Sequence, residues 1–441
     1  MCSSLPIRLI TTTLLVSALS SPLLAEEAAG PAAVPVAPPV ATETPAAPKE
    51  TPAAATAAPR SCRVDTAAVA AAPIERVRPR VIFALDLLEA VAGDSKASVA
   101  VSPSGVAAVL STLDLGADDA MRKAIAKTLR LGTAKGAADQ IRADARLLAV
   151  AGTRPGAPFA TADGLFVDQR LTLMPGIEDR VEAASGIAIK KVDFASPAAL
   201  AEIDKWASDR TQGRISKIME PGSSPSLVAI DAFVFKDCWR IPFDPSATAP
   251  RPFHRLDGST VDRPTMMLDE QTFRYAGKGR FAALELPYGD PRFILTLMTT
   301  TDAPAAPKAF EAARDLLAGE GLKPTAVRLA VPKFTGAGEH DLLSALAKMG
   351  LASGLSSKTQ LAGFASGIAL SAVRQKTVIS IDETGTEAAS VTVAETTRGL
   401  KPGPSTVKVE FNRPFVYALR HRETGTIVMT GWVADPEIVA K

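Results

Sequence analysis

Gly385-Thr386-Glu387-Ala388-Ala389-Ser390-Val391-Thr392-Val393-Ala394-Glu395-Thr396-Thr397-Arg398-Gly399-Leu400 is the stretch that decides how this chain is read. It lies between a strand expected to end at Asp382 and another expected over Thr406 to Phe411. With a period of two, one face carries Thr386, Ala388, Ser390, Thr392, Ala394 and Thr396, all small, and the other carries Glu387, Ala389, Val391, Val393, Glu395 and Thr397. Successive side chains of a strand point to opposite faces, so this segment fits the middle of a sheet with its small residues down and its glutamates in water. It lacks the large apolar groups that would hold it there from the start. Gly385 at its base permits a sharp change of backbone direction. Composition alone leaves a long polar surface loop open as the other reading, ending in the Pro/Gly-rich turn Lys401 to Pro404, but loops of this length inside a domain usually serve a function.

Helical spacing marks Val81, Ala84, Leu85, Leu88, Val91 and Ala92 as a first helix. Ser102-Pro103, an N-cap followed by proline, starts a second helix, closed by Gly116, and a third runs from Met121 to Leu129. Strands follow at Gly164 to Val167, Val228 to Phe235, Phe281 to Leu286, Phe293 to Met298, Val327 to Val331, Thr377 to Ile381, Phe415 to Leu419 and Thr426 to Val433. Shorter helices fall around Ile203 to Ile218 and Leu342 to Met349. Helices first and strands later, without regular alternation, predict an α+β fold.

The N-terminus sets the compartment. Arg8, the apolar run Leu9 to Leu24 and Ala25 ahead of Glu26 read as a secretory signal over 1–25, too short and polar for a membrane span. Residues 26–73 are rich in Pro and Ala and predict a disordered tether, leaving 74–441 as the folded domain of a soluble protein, secreted or periplasmic. Net charge is +2, falling to +1 without Arg8, so nothing points to nucleic acid or an anionic membrane as partner. Cys62 and Cys238 survive processing, and their pairing is left open. Neither a CxxC pair nor a metal or cofactor motif is evident.

The hinge-like Gly385-Thr386-Glu387-Ala388-Ala389-Ser390 and the downstream Phe411-Asn412-Arg413-Pro414-Phe415 resemble the serpin family, in its exported bacterial form. Ser102-Pro103 with Leu115-Gly116-Ala117, Trp206 with Thr211-Gln212-Gly213, Phe235-Lys236 with Trp239 and Phe243, Leu286-Pro287-Tyr288, Pro332-Lys333-Phe334 and Gly431-Trp432-Val433 with Pro436 fall in the family's order. The resemblance implies a helical section packed on a large, mostly antiparallel central sheet with smaller sheets, and an exposed reactive loop over about 384–405. It implies a serine protease inhibitor and no enzyme: a protease cleaves the loop, forms its acyl-enzyme and is trapped covalently as the loop inserts. The chain would be a monomer open to loop–sheet polymers. Ser102, Asp231 and Gln375 take the positions under the sheet's opening, where the family carries Asn and His in place of Asp231 and Gln375. The second Ser of the family's first-helix motif is Gly105. A glutamine amide can still donate to a carboxylate, which predicts a rebuilt latch. Val391 stands where inhibitory members prefer Ala, but on the outward face.

The family's commonest loop length puts the specificity residue at Gly399, with cleavage before Leu400. Arg398 offers the cationic side chain that a trypsin-like pocket selects, so the expected reactive bond is Arg398–Gly399, with Gly399–Leu400 as the alternative. A serine hydrolase would need a histidine base, and His254, His340 and His421 sit in no nucleophile motif. His254 reads as structural, His340 as opening a helix and His421 as lying by a turn, the last two at the surface. Trp206, Trp239 and Trp432 read as packing residues. A non-inhibitory binding or chaperone protein of the same fold is the remaining rival. Charged or bulky inward residues would favour it, and Thr386 to Thr396 has none.

Overall fold

The computed structural model describes residues 64–65, 67–93, 96–132, 136–154, 156–219, 225–386 and 406–437. Its longer helices are α1 (Ile74–Ala92), α2 (Pro103–Leu113), α3 (Asp119–Thr128), α4 (Ala137–Gly152), α5 (Ile177–Ser185) and α6 (Pro197–Arg210). In chain order the strands are β1 (Val99–Val101), β2 (Phe159–Asp168), β3 (Ala188–Val192), β4 (Leu227–Phe235), β5 (Asp237–Cys238), β6 (Ala249–His254), β7 (Thr260–Lys278), β8 (Phe281–Pro287), β9 (Phe293–Thr300), β10 (Lys323–Pro332), β11 (Phe334–Asp341), β12 (Leu370–Ile381), β13 (Gly385–Thr386), β14 (Val407–Glu410), β15 (Phe415–His421) and β16 (Thr426–Val433). The fold is α+β.

Local chemistry explains the helical section. Along α1, Val77, Val81, Ala84, Leu85 and Leu88 recur every three or four residues and are buried. The Ser102 hydroxyl accepts from the Gly105 N–H and Pro103 fills the first helical position, so α2 starts where its free N–H groups find a partner. α6 ends at Arg210, short of the expected Ile218: the Thr211 hydroxyl donates to the Ala207 carbonyl and accepts from the Ile215 N–H, and Gly213 turns through φ +80°.

The strands form two sheets. The larger has the order β1-β16-β15-β9-β8-β7-β10-β14, with β6 on β7, and the other the order β3-β2-β4-β12-β13-β5, with β11 on β12. Phe233, Phe235, Ile379 and Ile381 of the second sheet pack with Leu295, Leu297, Phe415 and Tyr417 of the first in one core. The opposite face of the second sheet, Phe166, Val228, Ile230 and Val234, is covered by Ile203 and Ala207 of α6. Its inward face therefore carries Asp163, Asp231, Gln375 and Thr377, because side chains alternate.

Several sequence readings need correction. β7 is the longest of the described strands and was not anticipated, since exposed Asp262, Asp269 and Arg274 break its apolar alternation. His340 opens no helix: it lies in β11, partly covered, with Nε2 2.9 Å from the Ala100 oxygen. His421 is buried rather than at the surface, edge-on to Phe293, and burial holds its pKa down at about 4. The end of the expected tether is held on the body, where the Asp65 N–H donates to the Gly289 oxygen and the Ala72 N–H to the Arg422 oxygen. Cys238 is disulfide-bonded, and the chain's other cysteines, Cys2 and Cys62, lie outside the described residues.

The larger sheet also buries an ion pair. Glu285 Oε1 accepts from Arg420 Nη2 at 2.6 Å, and Arg420 Nη1 donates to the Ala318 oxygen. Arg274 reaches the other carboxylate oxygen of Glu285 from the surface at 2.8 Å. Removing one partner of a buried pair strands the other. Arg420→Leu is expected to lower unfolding stability by about 3 kcal/mol, measured as the shift of the urea transition.

Candidate functional site

β4 and β12 are parallel neighbours with no strand between them: Ile230 stands opposite Arg374, Asp231 opposite Gln375 and Phe233 opposite Thr377. At one end this seam forks. β12 pairs through Ile381 with Thr386 of β13, and Thr386 pairs in turn with Asp237 of β5, which continues the line of β4. The first residues of the alternating segment, Gly385 and Thr386, are thus already lodged between the two strand lines.

The fork is built around a turn over Asp382 to Gly385. Asp382 Oδ1 accepts from the N–H groups of Thr384 and Gly385. The Asp382 carbonyl accepts from the Trp239 indole N–H at 2.8 Å, and the Trp239 N–H donates to the Thr384 oxygen. Glu383 is held by Lys333 at 2.8 Å and by the Thr248 hydroxyl at 2.9 Å. Trp239 stacks on Tyr288 with ring centroids 4.5 Å apart, and the Tyr288 and Thr386 hydroxyls meet at 2.8 Å, with both residues fully buried. Gly385 is dictated by space, since a Cβ there would stand 2.1 Å from the Asp237 oxygen. Burial pushes the Asp237 carboxyl up to about 6.

Midway along the seam Gln375 joins three groups. Its Nε2 donates to Asp231 Oδ2 at 2.6 Å and to the Ser102 oxygen at 2.9 Å, and its Oε1 accepts from the Ser102 N–H at 2.9 Å. Ser102, Asp231 and Gln375, expected under the sheet's opening, meet here. Gly105 makes the room: a Cβ there would fall 1.9 Å from Asp231 Oδ1. Across β2, Asp163 stands opposite Asp231, so the two carboxyls are neighbours on one face of the sheet. Burial pushes Asp163 up to about 6; burial and then the charge of Asp163 push Asp231 well above the carboxylate range. Asp163 was missed because the strand was read as starting at Gly164, which left the carboxyl in a loop. A charge between Ala162 and Gly164, just ahead of the apolar Leu165 to Val167, was the available signal.

Of the expected hinge, Gly385 and Thr386 lie in the fork, whereas Glu387, Ala388, Ala389 and Ser390 lie outside the described residues, as do Arg398, Gly399 and Leu400. Among the described residues no cluster of three or more His, Cys, Asp or Glu could hold a metal ion, and no helix is long and apolar enough to cross a membrane.

A family model described as Serpin (serine protease inhibitor) matches residues 80–436. Serpin-Z2B of Triticum aestivum is 30% identical over 380 residues, covering 80% of this chain and 94% of that relative. Antithrombin-III of Mus musculus is 28% identical over 360 residues, covering 77% of this chain and 76% of the relative. Among solved structures, AtSerpin1 of Arabidopsis in its native stressed conformation matches with a TM-score of 0.71 at 24% identity, over 82% of this chain and 98% of that one. The thermophilic serpin tengpin in its native state matches with a TM-score of 0.72 at 17% identity, over 85% and 97%. These structural likenesses establish the fold alone.

Gln375→Ala removes the side-chain link across the middle of the seam and leaves Asp231 and Ser102 short of partners. It is expected to cost about 1–3 kcal/mol of native stability, read as a lowered thermal midpoint. An unchanged midpoint would mean that these contacts contribute nothing to closure.

Proposed function

This chain belongs to the serpin family, a family of protease inhibitors rather than catalysts, and on that premise we propose that it traps a serine protease by inserting its cleaved loop between β4 and β12. The observation that carries this reading is the fork, where Thr386 already occupies the first position of such a strand. Extending the Ile381↔Thr386 register would set Ala388 opposite Ile379, Ser390 opposite Thr377, Thr392 opposite Gln375 and Ala394 opposite Val373. Opposed residues of an antiparallel pair share a face, and all four β12 positions face inward and are buried. Small side chains suit that packed side, and Thr392 brings a hydroxyl to the place where Gln375 now meets Asp231. A carrier or chaperone has no need of so consistent a face.

In the proposed reaction the protease's serine oxygen bonds to the Arg398 carbonyl carbon, the Arg398–Gly399 bond breaks, and Gly399 departs as the amine. The ester at Arg398 then holds the protease while insertion carries it away from the loop's original position. Distortion of its active site stops water from completing hydrolysis. This chain supplies strain and no catalytic group. A guanidinium at Arg398 favours a target whose pocket ends in a carboxylate. Export directed by residues 1–25 completes the reading, and the disulfide at Cys238 supports an oxidising destination.

Two variants test it. Thr386→Arg would bury a charge against Tyr288 and Trp239, where an unpaired charge costs several kcal/mol. Cleavage should continue while the yield of SDS-stable complex falls at least about tenfold, the equivalent of roughly 1.4 kcal/mol; undiminished trapping would refute insertion. Arg398→Ala should abolish trapping of trypsin and spare that of elastase. Undiminished trypsin trapping with a released fragment starting at Leu400 would move the reactive bond to Gly399–Leu400.

A further inference from the structure

The pairing of Asp163 with Asp231 across β2 and β4 carries a stoichiometric condition. A carboxylate has only acceptor oxygens, so two carboxyl groups are hydrogen-bonded to each other only while one of them holds a proton. Both are aspartates, directly opposed on β2 and β4, and Asp231 is almost wholly buried. Asp163 Oδ1 is enclosed, with no hydrogen-bond partner among the described residues.

Among the described residues no cation forms an ion pair with either carboxyl. β12 offers the Gln375 amide and α2 the Ser102 hydroxyl, both neutral. Arg210 of α6 acts on Asp163 through its charge, with no hydrogen bond to it. His340 of β11, in register with Gln375, is turned to the Ala100 oxygen, and burial lowers its pKa. The pair also borders a cavity of about 270 Å³ whose lining is mainly apolar, with Phe83, Leu129, Ile141 and Leu148 among its walls. Arg80 and Arg130 line that cavity too, but they are committed to Asp144 and Asp86.

We infer that the closed sheet is a proton-retaining state, in which loss of the proton shared by Asp163 and Asp231 drives β4 and β12 apart. Two like charges on directly opposed strand positions, one of them almost wholly buried, oppose each other's ionisation. Parting β12 from β4 admits water to Asp231, the hydration that closure denies it. The sign is set by linkage. Both carboxyls bind protons more tightly in the folded chain, so their contribution is complete below the ordinary carboxylate range. It is lost as pH rises out of that range: Asp163's share is spent by about 6, which still leaves the pair one proton, and Asp231's share goes as it loses its own. Asp237 adds a slope of the same sign that ends at about 6 and is common to wild type and variant.

The inference rests on the insertion reading only for the fate of the sheet once it has opened. The test uses the full chain between pH 6 and 9, comparing wild type with Asp163→Asn, whose amide donates to Asp231 without a proton. Urea midpoints read closure itself, and the rate at which intact protein converts to a heat-stable form reads opening with insertion. Wild type should lose urea resistance with rising pH and convert faster, by at most about tenfold per unit for a one-proton step. Asp163→Asn should show a flatter midpoint and rate. Should that variant not fold, the infrared carbonyl band of a neutral carboxylic acid in wild type at pH 7.5 decides instead, and its absence overturns the inference. Equal urea slopes in wild type and variant overturn it as well. A flattened slope in a chain that never converts would keep the proton and refute insertion.

Discussion

Everything in this chain turns on two parallel strands that touch without having to. β4 and β12 are far apart in sequence and lie flush with no strand between them. A sheet closed in this way is one strand short of another arrangement that the same chain can reach, because the fork at Thr386 has already begun it. The closed state survives because it is fastened at two points. Midway, Gln375 ties β12 to both β4 and the start of α2; at the fork, Trp239, Tyr288 and Lys333 hold the turn from which the loop departs. The hydrophobic layers on either side serve both arrangements, which leaves these polar contacts to set the balance between them.

The seam's chemistry is unusual in using acid where an amide would suffice. Gln375 satisfies Asp231 and Ser102 without any change of charge, but Asp163 and Asp231, opposed on β2 and β4, can bond to each other only through a proton. A hydrogen-bond latch and a titrating pair thus share one residue, and whatever loosens one alters the other.

The sequence made legible what is encoded locally or in short ordered motifs. The N-cap at Ser102 follows from Ser-Pro ahead of an apolar face, and Gly385 and Thr386 stand out because a glycine precedes a run of alternating small residues. Ser102, Asp231 and Gln375 lie far apart in the chain, and only resemblance to a family could join them. What escaped depends on packing. Asp163 belongs to no motif and marks itself only by being charged in an apolar strand. The 19 residues of β7 carry too many exposed charges for alternation to show. The burial of His421 comes from Phe293, on a distant strand, and nothing near it in the chain announces that neighbour.

Gly105 ties these themes together through what it lacks. It sits in the first turn of α2, yet the space it leaves is filled by a carboxyl from β4, whose oxygen would lie 1.9 Å from any Cβ. A side chain added there would displace Asp231 and, through it, Gln375 and Asp163, on three separate strands. In evolutionary terms this is epistasis with a steric origin. Glycine at 105 is the permissive state for the present acid latch, so a lineage leading here needed the glycine no later than that orientation of Asp231, and a return to serine is closed until the carboxyl first moves away.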